Sequence, residues 1–502
     1  MSQVTLRFNS ILSILVVVVT FDSLLPAQSA EPRIPHAPPR EDALLHRKLP
    51  IPEPFLIRRN EHTFGGDIRI GDLNGDGRCD FLVYRCNHGA PTGAHRGGMK
   101  PCFLGAFEMD GTALWTAGGG GNHPSRPMSV AVHDMTGDGA ADVICFWHRA
   151  SRTGLPTCPD GSGEPSYKAN EPDWQSLADV VIQIRDGRNG KVLREAAPKE
   201  ITDRRRKDPV GANWVHQRLL VANFRGTDGP RDIVVKLGDT YVAIDGRLTV
   251  LWTYRTELIK YSHCPAYIPA VGDIDGDGRD ELNGGYFVID DDGEPLWERQ
   301  LGRNMDSVAI TKWDDGNVRA ICSGFGHVMD AKGEVILSLG EKEVPHGQEV
   351  RVANLRDDLP GPEMVLRNTG HTTDVLLVSS ATNKIVDRLQ LNFSPTNVGM
   401  EPVYWRGPDR AALLYNGGWL WDLKRKEGRR LPDLPPPGGN QVHRMGFYHA
   451  IPANVCGDDR EELVLWDPTA RHIYIYTAKP LDESDYQGYV AGPRQYNPRL
   501  MD

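Results

Sequence analysis

The chain has 502 residues, 25% of them charged and 39% apolar, a balance that excludes a disordered polymer and a multispan membrane protein. Its 53 glycines and 37 prolines exceed the roughly 12% these two residues usually contribute, so many short strands joined by many turns are expected. The net charge is −10 and no run of five or more consecutive basic residues stands out, which argues against a nucleic-acid partner but leaves room for a locally cationic cleft.

Residues 1–30 read as a signal peptide. Arg7 precedes the apolar run ILSILVVVV, and the small residues of AQSA follow at Ala27 to Ala30. No other segment approaches about 18 consecutive apolar residues. A secreted or periplasmic protein with no stable membrane insertion after cleavage is therefore expected, its oligomeric state left open. Residues 31–54 hold seven prolines and read as an extended N-terminal strap.

From residue 55 to residue 480 one unit recurs: an apolar run, an Asp/Asn turn, an acidic residue, and a second apolar run. The clearest copies are IRIGDLNGDGRCDFLVY at Asp72, VAVHDMTGDGAADVICFW at Asp134 and PAVGDIDGDGRDELNGGY at Asp273. Degenerate copies follow at Asn223, near Asp314, at Asn354, near Arg406 and at Asn454. The second half of each unit reads as a hairpin with an Asp-Gly type of turn, as in YVAIDGRLTVLW and YFVIDDDGEPLW. Spacings of about 40 to 90 residues suit one four-stranded sheet per repeat. The fold class is all-β: a single β-propeller with integrin-like Asp loops and eight blades, seven being the alternative if a unit is incomplete or an N-terminal strand closes the ring. Residues 481–502 are left as a C-terminal tail.

The three clear loops have the spacing of calcium ligands. Asp72, Asn74, Asp76 and Asp80 form the first set. Asp134, Thr136, Asp138 and Asp142 form the second, and Asp273, Asp275, Asp277 and Glu281 the third. Calcium takes six to eight hard oxygens, which such a turn gathers. An Asx-rich turn without metal is the competing reading. Calcium is expected in at least one clear loop, in a structural role, because the loops recur along the whole chain.

Polar residues cluster just before the innermost strand of each unit: His62, His123 with Arg126, Asn213 with His216, His263 with Tyr267, His346, and Arg444 with Tyr448 and His449. In a propeller these positions converge on one mouth of the central channel, and the Asp loops lie at the other end. Two long insertions, residues 86–104 and 149–178, interrupt the rhythm, as functional loops do. The second holds Tyr167 and leads into a strand ending at Arg185.

Eight cysteines are present without a CxxC pair, which disfavours a zinc ribbon. Cys86–Cys102 and Cys145–Cys158 are conceivable local bridges. Several others sit in apolar runs and read as buried thiols.

The Asp-loop blades, the segments NWVHQRLLVANFRG, PHGQEVR and YNGGWLW, and the His–Tyr–Arg series resemble secreted propeller polysaccharide lyases. Ulvan lyases and rhamnosyl-glucuronate lyases are the nearest in pattern, and eight-bladed rhamnogalacturonan lyases are more distant. The resemblance covers most of residues 55–480. It implies β-elimination at a uronate, which needs a cation on the carboxylate, a base for the C5 proton and an acid for the departing O4. On that basis Arg185 is the carboxylate clamp, Tyr167 the acid or acid and base together, His123 the base or its partner, and His346 a second contributor. Arg126, Asn213, His216, Tyr267 and Arg367 are sugar contacts. An acidic polysaccharide is the implied substrate. Two other classes compete: a non-catalytic propeller binding glycans or protein partners, and a hydrolase, for which Glu349 and Glu401 are among the few carboxylates outside the Asp loops.

Overall fold

The structure is a computed structural model, described over residues 44–52, 67–87, 100–118, 130–148, 180–203, 218–258, 265–303, 305–394, 399–435, 448–466, 471–481, 484 and 486–498. The leader at 1–30 lies outside the described residues. All described residues belong to the unit that begins at His36.

The repeats become eight four-stranded antiparallel sheets, strands running in sequence order from the innermost outward. Blades 1 to 7 occupy residues 67–118, 130–196, 218–255, 270–298, 308–337, 349–390 and 401–430. Blade 8 takes three strands from residues 449–477 and its outermost strand, Leu44–Pro50, from the other end of the chain. The ring is thus closed by an N-terminal strand and still has eight blades. That strand comes from within the segment read as a strap.

Strand composition follows position in the blade. Second strands pack on both faces against neighbouring blades and are mostly apolar. Asp232–Leu237 (DIVVKL) and Glu462–Trp466 (ELVLW) are buried along their whole length. Outermost strands meet water on one side and alternate, as Lys384–Gln390 (KIVDRLQ) does.

Apolar clusters fill the seams between blades 8 and 1, 1 and 2, 2 and 3, 3 to 5, 5 and 6, and 7 and 8. Each fully buried aliphatic or aromatic side chain there contributes about 1.5–3 kcal/mol. Across the seam between blades 6 and 7 runs a buried polar network. Arg351 donates to Glu401 through Nε at 3.0 Å and Nη2 at 2.7 Å. Glu349 accepts the amides of Gly399 and Met400 at 3.0 and 2.9 Å. Arg367 donates to Asn416 Oδ1 at 2.9 Å.

Cys79, Cys145, Cys322 and Cys456 are buried free thiols. Cys145 therefore makes no bridge to Cys158, and Cys158 itself lies outside the described residues, as do the side chains of Cys86 and Cys102. The two described α-helices have four residues each. None of the described helices is long and apolar enough to cross a membrane.

The C-terminal tail is part of the ring. Its Gln487 and Tyr489 amides donate to Cys456 O and Gly77 O, on blades 8 and 1, at 2.9 and 2.7 Å. A one-turn helix, Pro493–Tyr496, then meets the innermost strands. Gln495 donates to Pro452 O of blade 8 at 2.7 Å. Arg494 pairs with Glu461 Oε1 at 2.7 Å and lies 5.8 Å from the Tyr404 ring. The Tyr496 ring lies 4.5 Å from that of His133 on blade 2. Asn497 pairs with both backbone groups of Val221 on blade 3, at 2.8 and 2.7 Å, so its amide stands in for a neighbouring strand at a sheet edge. A cavity of about 330 Å³ lies between this segment and the innermost strands, lined among others by Ala270, Ile310, Arg351, Glu401 and Ile451.

Deleting residues 486–502 is expected to lower the melting temperature by at least about 2 °C, because contacts to five blades are lost together. Asn497→Ala should show a smaller fall of the same sign. An unchanged melting curve for the truncated chain would mean that the tail does not hold these blades.

Candidate functional site

Each blade's innermost strand runs from the mouth toward the Asp loop, and the second strand returns. The two faces of the ring are therefore built from different residues. On the loop face, the first residue of the second strand turns its carboxylate back under the loop. Asp80 accepts the amides of Leu73 and Asn74 at 2.9 and 3.2 Å. Asp142 accepts those of Met135 and Thr136, both at 3.0 Å. Glu281 accepts from Ile274 at 2.6 Å, Glu363 from Leu355 and Arg356 at 2.8 and 3.0 Å, and Glu462 from Val455 at 3.0 Å. Burial pushes Asp80 up to about 7, Asp142 to about 6 and Glu281 to about 8.

The three proposed ligand sets differ. In the first, Asp72 accepts the amides of Gly75, Asp76 and Gly77 at 2.8–3.0 Å, as Asp273 of the third accepts those of Gly276 and Gly278 at 2.6 and 3.1 Å, but only the third gathers three carboxylates. In the second, Asp138 is held by Arg188, with Nη1 at 2.7 Å from Oδ2. Asp134 there accepts the amides of Gly137, Asp138 and Gly139. The third set, without Asp277, brings oxygens of Asp273, Asp275 and Glu281 within 4.8 Å of one another. Glu281 Oε1 is buried there with no hydrogen-bond partner. Three hard carboxylates around an orphaned buried oxygen fit a divalent cation such as calcium.

On the mouth face, the segments leading into blades 4, 5 and 6 pair side by side, Ile268 with Ser307 and Met305 with Gly347. Gly347 permits this approach, since a Cβ there would stand 1.8 Å from Ser323 O. The pairing assembles four side chains from four blades. Lys236, 1% exposed, donates from Nζ to the carbonyls of Ala266 and Tyr267 at 2.6 and 3.2 Å. The Tyr267 amide donates to Asp306 O at 3.0 Å. The buried Asp306 carboxylate lies 3.5 Å from Nε2 of the half-exposed His346. Tyr267 itself is half-buried. At the ring-closing seam, His449 Nδ1 lies 3.2 Å from Asp67, which also pairs with Arg69 at 3.4 Å. Burial raises Asp67, but His449 and Arg69 outweigh it and hold the carboxyl below its usual value.

Of the residues singled out from the sequence, Tyr267 and His346 come together at the mouth. Arg185 does not. It ends a strand on the loop side, is 6% exposed, donates to Gln183 and Gly190 O at 2.9 and 2.8 Å and stacks 4.6 Å above Trp147. A guanidinium buried on Trp147 and committed to these acceptors, on the loop side, is not placed to clamp a carboxylate at the mouth. Arg367 is fully buried beside Glu349 and touches no sugar. Glu349 and Glu401 flank Arg351 in the same network and are no pair of free acids. His123, Arg126, Tyr167, Asn213 and His216 lie outside the described residues, as do His62, His263 and Arg444.

Asp306 and Lys236 escaped the sequence reading. Asp306 occupies the position before an innermost strand that histidines mark in other blades. Lys236 is a charge inside an apolar strand, a signal that could have been used.

An imidazole 3.5 Å from a buried carboxylate is an arrangement that a general base can use.

No family model matches the chain. Over 446 residues it is 27% identical to the rhamnogalacturonan endolyase YesW of Bacillus subtilis, covering 82% of this chain and 67% of that protein. Over 256 residues it is 27% identical to the rhamnogalacturonan exolyase YesX of the same organism, covering 47% of this chain and 40% of that protein. Among solved structures, rhamnogalacturonan lyase YesW superposes with a TM-score of 0.62 at 19% identity, covering 88% of this chain and 76% of that one. The V. cholerae biofilm matrix protein Bap1 gives 0.55 at 12% identity, covering 91% and 94%. These structural likenesses carry the fold alone. The resemblance to propeller polysaccharide lyases is borne out in its rhamnogalacturonan branch, which the sequence pattern placed as the more distant one.

The third Asp loop sets up a pH test. Glu281 is raised from 4.5 to about 8, so without metal its contribution to stability is full below about 4.5 and fades as pH rises through about 8. A cation needs the charged form and competes with the proton. Added calcium is expected to raise the melting temperature more at pH ~8 than at pH ~5.5, and Glu281→Gln to remove most of that rise. An equal rise in the variant would move the ion elsewhere.

Proposed function

We propose that the chain is a polysaccharide lyase that cleaves a rhamnose-containing pectic polysaccharide by β-elimination beside a uronate. The observation that carries this reading is His346 on Asp306, at the mouth of a propeller whose sequence resembles a rhamnogalacturonan endolyase along 82% of the chain.

The chemistry divides among residues as follows. Neutral His346 takes the proton from C5 of the uronate, and Asp306 stabilises the resulting imidazolium. The C5–H electron pair forms the C4=C5 double bond as the C4–O4 bond breaks. O4 leaves with its electron pair and takes a proton from an acid. Tyr267, half-buried beside Asp306, and Tyr167 are the two tyrosines that fit this part. The uronate carboxylate needs a cation, without which the developing charge is not stabilised. With Arg185 buried, we assign this part to Arg126, which shortly precedes the innermost strand of blade 2. His123 assists the base, and Asn213 and His216 contact sugar. Calcium in the third Asp loop is structural, on the face away from this chemistry. We also infer from the leader that the protein is exported, where such a polymer is met.

Incubation with rhamnogalacturonan is expected to produce the ultraviolet absorbance of an unsaturated uronate. His346→Ala should lower kcat by at least about 100-fold without shifting the melting curve. Of Tyr267→Phe and Tyr167→Phe, the variant that loses activity identifies the acid. No absorbance on any acidic polysaccharide, with binding intact, would replace this reading by that of a glycan-binding propeller. Full activity of His346→Ala would keep the class and move the base.

A further inference from the structure

Phe393 lies on the mouth face, in the segment that carries the chain from the outermost strand of blade 6 to the innermost strand of blade 7, and 74% of it is exposed. The other large apolar side chains exposed among the described residues lie elsewhere. Val192, Leu193, Leu251, Val335, Ile336 and Val386 are on outermost strands, and Val490 is on the C-terminal tail.

The backbone that presents Phe393 is fixed. Its neighbours Asn392 and Ser394 are 5% and 2% exposed. Asn416 Nδ2 donates to Asn392 O and Oδ1, both at 3.0 Å, and Trp421 Nε1 donates to the same Oδ1 at 2.9 Å. Asn416 is held in turn by Arg367 at 2.9 Å. Gly417, at φ 48°, lets the next blade close on Ser394, where a Cβ would stand 2.6 Å from the serine Cβ. The buried network between blades 6 and 7 thus ends in an aromatic ring aimed at solvent. The backbone that carries this ring is also linked to that of His346. Gly370 donates to His346 O at 2.8 Å, and Leu391, two residues before Phe393, donates to Thr373 O of the same turn at 3.0 Å.

We propose that Phe393 is the stacking platform of a sugar subsite that flanks His346 and holds a pyranose ring of the polysaccharide one or more residues from the cleaved bond. This rests on the polysaccharide reading above. An aromatic face in water binds the C–H face of a pyranose, which is apolar although its rim is polar. A ring on a fixed backbone loses little entropy on binding. A protein partner would need a contiguous apolar patch, and one isolated ring beside polar turns matches a single sugar instead.

Phe393→Ala and Phe393→Trp test this in the full chain with rhamnogalacturonan as the probe. The alanine variant is expected to raise KM about five- to tenfold with kcat within about twofold and an unchanged melting temperature, and the tryptophan variant to stay at or below the wild-type KM. The loss should shrink on oligosaccharides too short to reach from His346 to Phe393. Equal KM values for wild type and alanine variant on the polymer would overturn the subsite. If the wild type cleaves nothing, retardation in a gel containing the same polymer gives an independent reading. Weaker retardation of the alanine variant supports the platform although the lyase reading fails, and equal retardation overturns it.

Discussion

A carboxylate buried under the Asp loop in six of the eight blades is the constraint on which the ring depends. It stands at the start of the second strand, as Asp80, Asp142, Asp232, Glu281, Glu363 or Glu462, and accepts amides that the loop would otherwise bury unpaired. With the loop so fixed, its first carbonyl faces the next blade. Asp72 O accepts the Ala141 amide at 2.7 Å, Asn354 O that of Ala412 at 2.7 Å, and Tyr404 O that of Glu461 at 3.1 Å. The element that turns the chain within one blade is therefore the element that hooks it to its neighbour. A repeat that satisfies its own loop also satisfies the ring, which is why one short motif can organise so long a chain.

Closure needs more than the repeat, because the last blade must find the first. Leu44–Pro50 supplies the missing strand at the outer rim, while the C-terminal segment joins blades 1, 2, 3, 7 and 8 near the axis. Rim and axis are held by opposite ends of the chain. On the mouth face the same seam carries Asp67, Arg69 and His449, buried and mutually paired. Charge at a seam is costly unless paired, and the buried charges of this seam and of that between blades 6 and 7 stand beside opposite charges.

The blades were legible because the constraint is local: Asp, Gly and an acid at fixed offsets between two apolar runs. The closing strand was not, since LLHRKLP has no Asp loop and pairs with a strand more than 400 residues away. Half of the mouth was legible for the same reason as the blades, because His346 and Tyr267 precede innermost strands. Arg185 misled because an arginine that ends a strand reads alike whether it faces solvent or lies flat on Trp147. Sequence gives the alternation but not which neighbouring blade covers the face. Lys236 was missed for the converse reason, since nothing local indicates that its stem crosses to the carbonyls of Ala266 and Tyr267.

On the proposed function an acidic chain receives an acidic polymer, and the division of the two faces bears on how. The formal charge of −10 counts every carboxylate as ionised. Burial raises Asp80, Glu363 and Glu462 to about 7 and, without metal, Glu281 to about 8, so each resists ionisation more than its formal charge implies. All four lie under Asp loops. The exposed acids of those loops, Asp76, Asp138 and Asp275 among them, face the same side, where arginines such as Arg188 offset part of their field. At the mouth, the acids Asp67 and Asp306 are buried against His449 with Arg69 and against His346. The field an approaching polyanion meets there is set less by net charge than by which carboxylates the fold has neutralised. The loops that build the ring thus also draw unpaired negative charge away from the face where the polymer would bind.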